Sequence, residues 1–387
     1  ASAGPARQDA YGYRVGRLDR QRIRLLSCVF LRRLYGRILV CRNACDVTLS
    51  VASKREEIMA RMIGYRRFGG VDVLEEGSVS LPAPAEGQVL VSVRAAGINP
   101  VDYKLFGGLM RPLEVIRTIV HPSRWFARGK ERPLRGVGQD FAGVVTAVGP
   151  SVNNVCVGDE VIGLLRAAPW SAREYGALAT DVLTSATNVV PKPASVSFDV
   201  AGGLGVAAQT AMGAMRSVKG EAGDVIVVAA AAGGVGGLVT QLALARGATV
   251  IGIAGPSNAD YLRSLGAIPV SYGESLEQRI RDAAPSPVTA FIDCFGGYAS
   301  LAHRLGVPGE RVGTLVPTPA IALRRARFTG GRDGKIADIA TVAGLIDRGT
   351  VNLAIAGTYP FDVEQVRAAY TELMGGHVRG KIVITIP

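Results

Sequence analysis

Histidine is almost missing from this chain of 387 residues: His121, His303 and His377 are the only three. None stands at ligand-pair spacing, so a metal centre built on imidazole is not expected. Cysteine is scarce as well, with five in all: Cys28, Cys41, Cys45, Cys156 and Cys294. No CxxC pair occurs, which argues against a structural zinc site or a disulfide framework and favours a reducing, cytoplasmic setting. Long uninterrupted apolar runs are absent. The stretch Leu25–Cys41 is broken by Arg32, Arg33 and Arg37, so it neither spans a bilayer nor serves as a secretory h-region. Heptads and internal repeats are also lacking, and no membrane association is expected.

Acidic residues are in deficit, with 32 Asp/Glu against 44 Lys/Arg and a net charge of +12. The excess is unevenly placed. Residues 1–58 hold 12 Lys/Arg against 5 Asp/Glu, leaving 32 against 27 for the rest. A mildly basic body suits an anionic small molecule as well as a polyanion, and no aromatic RNA-binding motif accompanies it, so nucleic acid is not the expected partner. What is plentiful is hydrophobic residues at 48% and glycine at 49 positions, with 20% charged, an α/β globular profile.

Residues 1–61 read as a basic N-terminal extension outside the fold. Two accounts fit it: a mitochondrial transit peptide, or an upstream extension ahead of a start at Met59 or Met62. Sparse serine, together with Asp9, Asp19 and Asp46, favours the extension. Residues 62–190 read as a β-rich domain. Val89, Val91 and Val93 alternate in Gln88–Ala95, Phe141–Val148 is a second apolar run, and Gly158–Val161 turns into a third strand. Residues 191–330 change character. A helix over Ala201–Ser217 leads into a strand–helix–strand series: Asp224–Ala229, Val235–Arg246, Thr249–Ala254, Ala259–Leu265 and Ala290–Cys294. That alternation marks a parallel, doubly wound sheet. Residues 331–387 add helices at Ile336–Arg348 and Val363–Met374, an extended stretch at Ala354–Tyr359 and a strand at Lys381–Ile386, and are expected to complete the first domain.

The strongest chemical signal is the strand Val225–Ala229 feeding Ala230-Ala231-Ala232-Gly233-Gly234-Val235-Gly236 and then a helix. Ala231 stands where the first glycine of GxGxxG is usual. Gly233 lets backbone approach a pyrophosphate, and Gly236 lets the helix pack on the strand, leaving helical N–H groups for the anion. Ala231, Gly233, Gly234, Val235 and Gly236 are therefore candidate cofactor contacts. Dinucleotide sites for NAD place an acid at the end of the next strand to hold the ribose 2′-OH. Here Ile253-Ala254-Gly255 is followed by no acid before Asp260, while Ser257 and Asn258 offer hydrogen bonds and Arg263 offers charge. NADPH is expected over NADH.

Four segments occur in order: Gly97-Ile-Asn-Pro-Val-Asp102, Gly138-Gln-Asp-Phe-Ala-Gly-Val-Val145, Ala231–Gly236 and Gly376-His-Val-Arg-Gly-Lys-Ile-Val383. Together they resemble the zinc-independent quinone oxidoreductases of the medium-chain dehydrogenase/reductase superfamily, over about Met62 to Pro387. The resemblance implies an α/β fold, with a GroES-like catalytic domain, a Rossmann doubly wound cofactor domain and the cofactor in the cleft between them. It implies that Asn99 lies near the nicotinamide, that Ser257 and Tyr272 contact the 2′-phosphate, and that Thr210 touches the cofactor. A homodimer is implied by analogy. The segment from Leu105 to Arg135, with Trp125 and Phe126, looks longer than in relatives and is expected to rim the substrate cleft.

In zinc alcohol dehydrogenases of the superfamily, Cys falls where Asn99 stands, and Gly-His-Glu where Gly138-Gln139-Asp140 stands. Neutral amides replace thiolate and imidazole poorly, so no metal is expected. Hydride transfer to a quinone or an activated C=C fits, since the acceptor's own carbonyl spreads the charge. Asn99 also fits a capping role before Pro100, and Asp102 fits a buried structural acid as well as a catalytic one. Tyr103 and Lys104, read as loop residues, are weaker catalytic candidates. Cys294 reads as a small buried hydrophobe, and His377 and Arg379 as a solvated helix end. The competing function is a catalytically weak NADPH-binding protein with a regulatory or RNA-binding role.

Overall fold

The computed structural model describes residues 58–109, 133–165, 175–317, 321, 323 and 325–387. Of the basic extension read as residues 1–61, residues 1–57 lie outside the described residues, as do Trp125 and Phe126 in the long segment, whereas Ile58–Arg61 form the start of a paired strand with Ala60 fully buried.

The first part is β-rich. It runs β1 (Ile58–Tyr65), β2 (Leu74–Leu81), β3 (Gln88–Gly97), α1 (Pro100–Phe106), β4 (Arg135–Gly136), β5 (Asp140–Val148), β6 (Glu160–Leu164), β7 (Asp181–Ser185) and β8 (Val189–Pro191). β1 pairs antiparallel with β2 and with β4, a small three-stranded sheet. β3 is the hub of the larger one, pairing antiparallel with β5 and β7. Val89, Val91 and Val93 are each fully buried on one face, and Leu90 packs into a separate apolar cluster with Ala60 and Leu81. Period-two alternation therefore buries β3 on both sides.

The second part alternates. It comprises α2 (Phe198–Gly202), α3 (Leu204–Ser217), β9 (Val225–Ala229), α4 (Gly234–Ala245), β10 (Thr249–Ala254), α5 (Ala259–Ser264), β11 (Ile268–Ser271), α6 (Leu276–Ala283), β12 (Ala290–Asp293), α7 (Ala299–Arg304), β13 (Val312–Thr314) and β14 (Arg327–Phe328). The six strands are all parallel in the order β11-β10-β9-β12-β13-β14. That is the doubly wound dinucleotide-binding order, whose crevice opens at the carboxyl end of its first strand, here β9. All five residues of β9 are buried, as covering both faces with helices requires. Ile226 and Val228 face one apolar core, and Val225, Val227 and Ala229 the other.

The chain then returns through α8 (Ile336–Asp347), β15 (Ile355–Pro360), α9 (Val363–Gly375) and β16 (Lys381–Thr385). β16 pairs antiparallel with β3 and parallel with β15, joining the end of the chain to the first sheet. Val366, Ala369 and Tyr370 of α9 pack into the same core as Val89 and Phe141.

Two local expectations are corrected. The single helix over Ala201–Ser217 is two, α2 and α3, parted at Gly203. The cause is close packing on β3: a Cβ at Gly202 would lie 2.7 Å from the Ala95 Cβ, and one at Gly97 would lie 2.8 Å from the Gly202 carbonyl oxygen. Residues 100–106 form a helix and not a loop. Pro100 is its first residue, and the Asp102 carboxylate accepts from the Asn99 backbone N–H at 2.8 Å. Cys294 is free and packs against the main core, where burial first and the Asp293 charge second push its thiol well above the ordinary range. Among the described residues no helix is long and apolar enough to cross a membrane.

Candidate functional site

The glycine turn sits at the carboxyl end of β9. Ala230 takes a left-handed φ of 52°, a conformation that costs a non-glycine residue roughly 1–2 kcal/mol. Its carbonyl accepts from Gly233 N–H at 3.0 Å and closes the turn, and Ala231 N–H donates to the Ile253 carbonyl of β10 at 3.1 Å. Gly233 caps α4 in an extended conformation, with no capping side chain and no acid in the first helical turn. The first-turn N–H groups are thus left for an anion, at the positive end of the helix dipole. Gly236 is forced to be glycine: a Cβ there would sit 2.1 Å from the Ala230 carbonyl oxygen. Val235 follows Gly234, partly buried, on the same first turn.

The loop after β10 carries the second element. Pro256–Asn258 form a single 3₁₀ turn, with Ser257 exposed and Asn258 half-buried. Tyr272, 47% exposed, covers Gly255, so that a Cβ on that glycine would meet its hydroxyl at 3.4 Å. The guanidinium on this loop is Arg379. Its Nε donates to Asn258 Oδ1 at 2.8 Å and its Nη2 to the Ser257 carbonyl at 3.1 Å, while the group lies 5.1 Å from the Tyr261 ring centre. Arg263 instead stands exposed on α5 and pairs with Asp260 at 2.7 Å. Sequence reasoning had set Arg379 aside as a solvated helix end. The signal available was its cationic type two residues before the final strand.

The third element is a buried ionic cluster at the end of β3. Lys381, the first residue of β16, is 6% exposed, and Asp140, the first residue of β5, is fully buried. Lys381 Nζ donates to Asn99 Oδ1 at 2.6 Å, to the Ile98 carbonyl at 3.0 Å and to Asp140 Oδ2 at 3.2 Å. Asn99 Nδ2 donates to Asp140 Oδ2 at 3.0 Å and, more weakly, to the Gly97 carbonyl at 3.4 Å. Asp140 Oδ1 accepts from Val206 N–H in the first turn of α3 at 2.6 Å. Burial pushes the Asp140 carboxyl up, opposed first by the Lys381 charge and then by hydrogen bonds from Asn99, Val206 and Lys381. All three ammonium protons and both amide protons are engaged. What Asn99 can still offer a bound molecule is the second lone pair of Oδ1.

The cluster reaches the glycine turn directly. Gly380 N–H donates to the Ala232 carbonyl at 2.9 Å, and Gly380 bridges Gly233 in parallel fashion. The Lys381 stem lies against Gly234, where a Cβ would meet its Cδ and Cγ at 2.7 and 2.8 Å. The structure thus brings together Asn99, Gly233 and Gly234, through two residues that sequence reasoning had not named as site residues. Lys381 had been read only as a strand residue, and Asp140 only as a position where a zinc ligand is lacking.

The other candidates fall elsewhere. Thr210 is buried on α3, one turn beyond Val206, and packs against Gly330. Beside it the buried Gln209 Nε2 has no hydrogen-bond partner among the described residues. Asp102 is 1% exposed and serves as the α1 cap, with the Tyr370 hydroxyl 3.4 Å away. Tyr103 packs on the core of the first sheet, and Lys104 is exposed; neither joins the Asn99 cluster.

Comparison with known proteins gives the family. Residues 85–194 match the alcohol dehydrogenase GroES-like domain, and residues 180–384 match the zinc-binding dehydrogenase family. The chain is 30% identical over 373 residues to an NADPH-dependent alkenal/one oxidoreductase of Arabidopsis thaliana chloroplasts, covering 94% of this chain and 89% of that protein. It is 29% identical to the 2-methylene-furan-3-one reductase of Solanum lycopersicum, over 83% of this chain and 77% of that one. Among solved structures, the quinone oxidoreductase of Coxiella burnetii superposes with a TM-score of 0.70 at 28% identity, covering 85% of this chain and all of that one.

The family description carries zinc in its name, but the residues at this position do not fit the ion. Asn99 and Gln139 are neutral amides, Asp140 is already neutralised by an ammonium 3.2 Å away, and no group of three His, Cys, Asp or Glu comes together among the described residues. A nicotinamide dinucleotide does fit: the Gly233 cap of α4 carries no side chain, a Cβ there would meet nothing nearer than the Ala230 carbonyl oxygen at 3.4 Å, and no acid stands in the first helical turn to repel a pyrophosphate.

Proposed function

This chain belongs to the medium-chain dehydrogenase/reductase superfamily, and from that premise we propose that it transfers hydride from NADPH to a quinone or an α,β-unsaturated carbonyl without zinc. The observation that carries the reading is the juxtaposition of an open glycine turn with a wall of Asn99, Asp140 and Lys381 in which an ammonium is the resident cation.

The chain's own residues account for binding and orientation. N–H groups of Gly234, Val235 and Gly236, at the start of α4, hold the pyrophosphate. Arg379, Ser257, Asn258 and Tyr272 surround the ribose 2′-phosphate, and no carboxylate stands between β10 and Asp260 to repel it. Thr210 and the Gln209 amide bound the cofactor on the α3 side. When bound, the nicotinamide supplies the hydride from its C4. Asn99, clamped by Lys381, presents one acceptor lone pair and a fixed surface against which the acceptor is oriented; proximity of this kind is worth several kcal/mol of barrier. Conjugated acceptors suit the site because they spread the incoming charge over their own carbonyl. Asp102, Tyr103 and Lys104 are given no proton-transfer step. A homodimer located in the cytoplasm, free of membrane and nucleic acid, completes the proposal, with sedimentation and cell fractionation as its tests.

The activity is tested by following NADPH absorbance with a panel of quinones and enones. Oxidation with at least one acceptor, and at least about tenfold slower with NADH, is the expected result. Tight NADPH binding with no turnover across the panel, accompanied by salt-sensitive RNA binding, contradicts it and favours a regulatory binding protein.

A further inference from the structure

Asp140 and Lys381 do more than neutralise each other. Asp140 Oδ1 fixes the first turn of α3 through Val206, while its Oδ2 holds the Asn99 amide. Lys381 holds the other end of that amide, and its stem supports the glycine turn from below at Gly234. Two buried side chains therefore tie together the end of β3, the helix bearing Thr210 and the turn at the start of α4. Glycines at 97 and 205 make room for them: a Cβ at either would approach the Asp140 carboxylate to 3.2 or 2.9 Å.

We propose that Lys381 is a positioning residue for hydride transfer, setting the orientation of the Asn99 carboxamide and the placement of the glycine turn at once. The proposal rests on the reading of the site as a nicotinamide-dependent reductase. A buried ion pair is a poor source of net stability, because desolvating two charges offsets most of their attraction. Its retention at this junction is accounted for by geometry: a short aliphatic residue would leave Asn99 Oδ1 without its donor and the amide held through Nδ2 alone. Lysine reaches from β16 past Gly234 to Asn99 and spends every proton on a fixed acceptor.

The test is the charge-balanced double variant Lys381→Met/Asp140→Asn, which leaves no lone buried charge. If Lys381 positions the site, this variant melts within a few degrees of the parent and binds NADPH within about threefold, as both the stem and the helix N-terminus remain. Its kcat falls by about 100-fold, and the isotope effect with C4-deuterated NADPH rises because the hydride step becomes limiting. The fluorescence of bound NADPH also shifts as the wall beside the nicotinamide loosens. Parent-like kcat, isotope effect and fluorescence in a folded double variant overturn the proposal. Should the double variant fail to fold, Gly234→Ala reaches the same lysine by crowding its stem. A larger loss of kcat than of NADPH affinity is then expected, and an equal loss of both overturns the idea. If the parent binds NADPH but reduces no acceptor, the proposed function alone fails, and the fluorescence comparison still decides the role of Lys381.

Discussion

Replacing Gly236 with alanine is expected to weaken NADPH binding by at least about 30-fold, whereas the same change at the next residue, Gly237, leaves it nearly untouched. Both glycines are buried in the first turns of α4. At Gly236 the added Cβ would meet the Ala230 carbonyl oxygen at 2.1 Å and its carbon at 2.8 Å. Those atoms are backbone at the end of β9, held by the hydrogen bond from Gly233, and cannot turn aside as a side chain would. The turn must open or the helix must lift, and either movement scatters the N–H groups proposed to hold the pyrophosphate. The accompanying stability loss is about 1–3 kcal/mol, typical of overpacking. At Gly237 the nearest atoms to a Cβ are 3.7 Å away, an ordinary contact. Alanine there gains up to about 1 kcal/mol from helix propensity. Isothermal titration of the two variants with NADPH checks the contrast; equal affinities would mean that the turn does not hold the cofactor.

Arg379→Ala is expected to raise the KM for NADPH by roughly 10- to 100-fold while changing that for NADH less than about threefold. A charge-assisted hydrogen bond to a phosphate is worth about 1.5–3 kcal/mol. The guanidinium is pre-positioned by Asn258 and the Ser257 carbonyl, and the loop contributes no competing acid. NADH lacks the 2′-phosphate that Arg379 is proposed to bind, so a selective loss is expected. Arg263→Ala is the control: its guanidinium is committed to Asp260 on an exposed helix face, and little change is expected. Steady-state kinetics with both coenzymes decide the matter. A loss shared equally by NADH would assign Arg379 a purely structural role at the loop.

Periodicity in the sequence located the framework well. β10 falls on Thr249–Ala254 and α8 starts at Ile336, as read, because apolar runs bounded by glycine or polar residues leave a clear trace. The break at Gly203 was not legible, since its cause is the proximity of β3, more than a hundred residues away in sequence. The helix at Pro100–Phe106 had left its marks, an Asn cap, a proline at the first position and an acid at the third, but seven residues are too few to display a helical period. The glycine turn was visible because backbone requirements dictate residue type locally. The ionic cluster was not. A buried lysine inside an apolar strand looks, one residue at a time, like an ordinary exposed position, and only its meeting with Asp140 and Asn99 reveals its use. Arg379 was passed over for the same reason: its partners at Ser257 and Asn258 lie on another loop.

The most direct measurement follows the label from NADPH deuterated at C4 into an enone product, after exhaustive chelation of the enzyme. One deuterium per turnover at the carbon β to the carbonyl, at a rate unchanged by the chelator, is the predicted result. Activity lost on chelation and restored by zinc, or product carrying no label, would contradict the account.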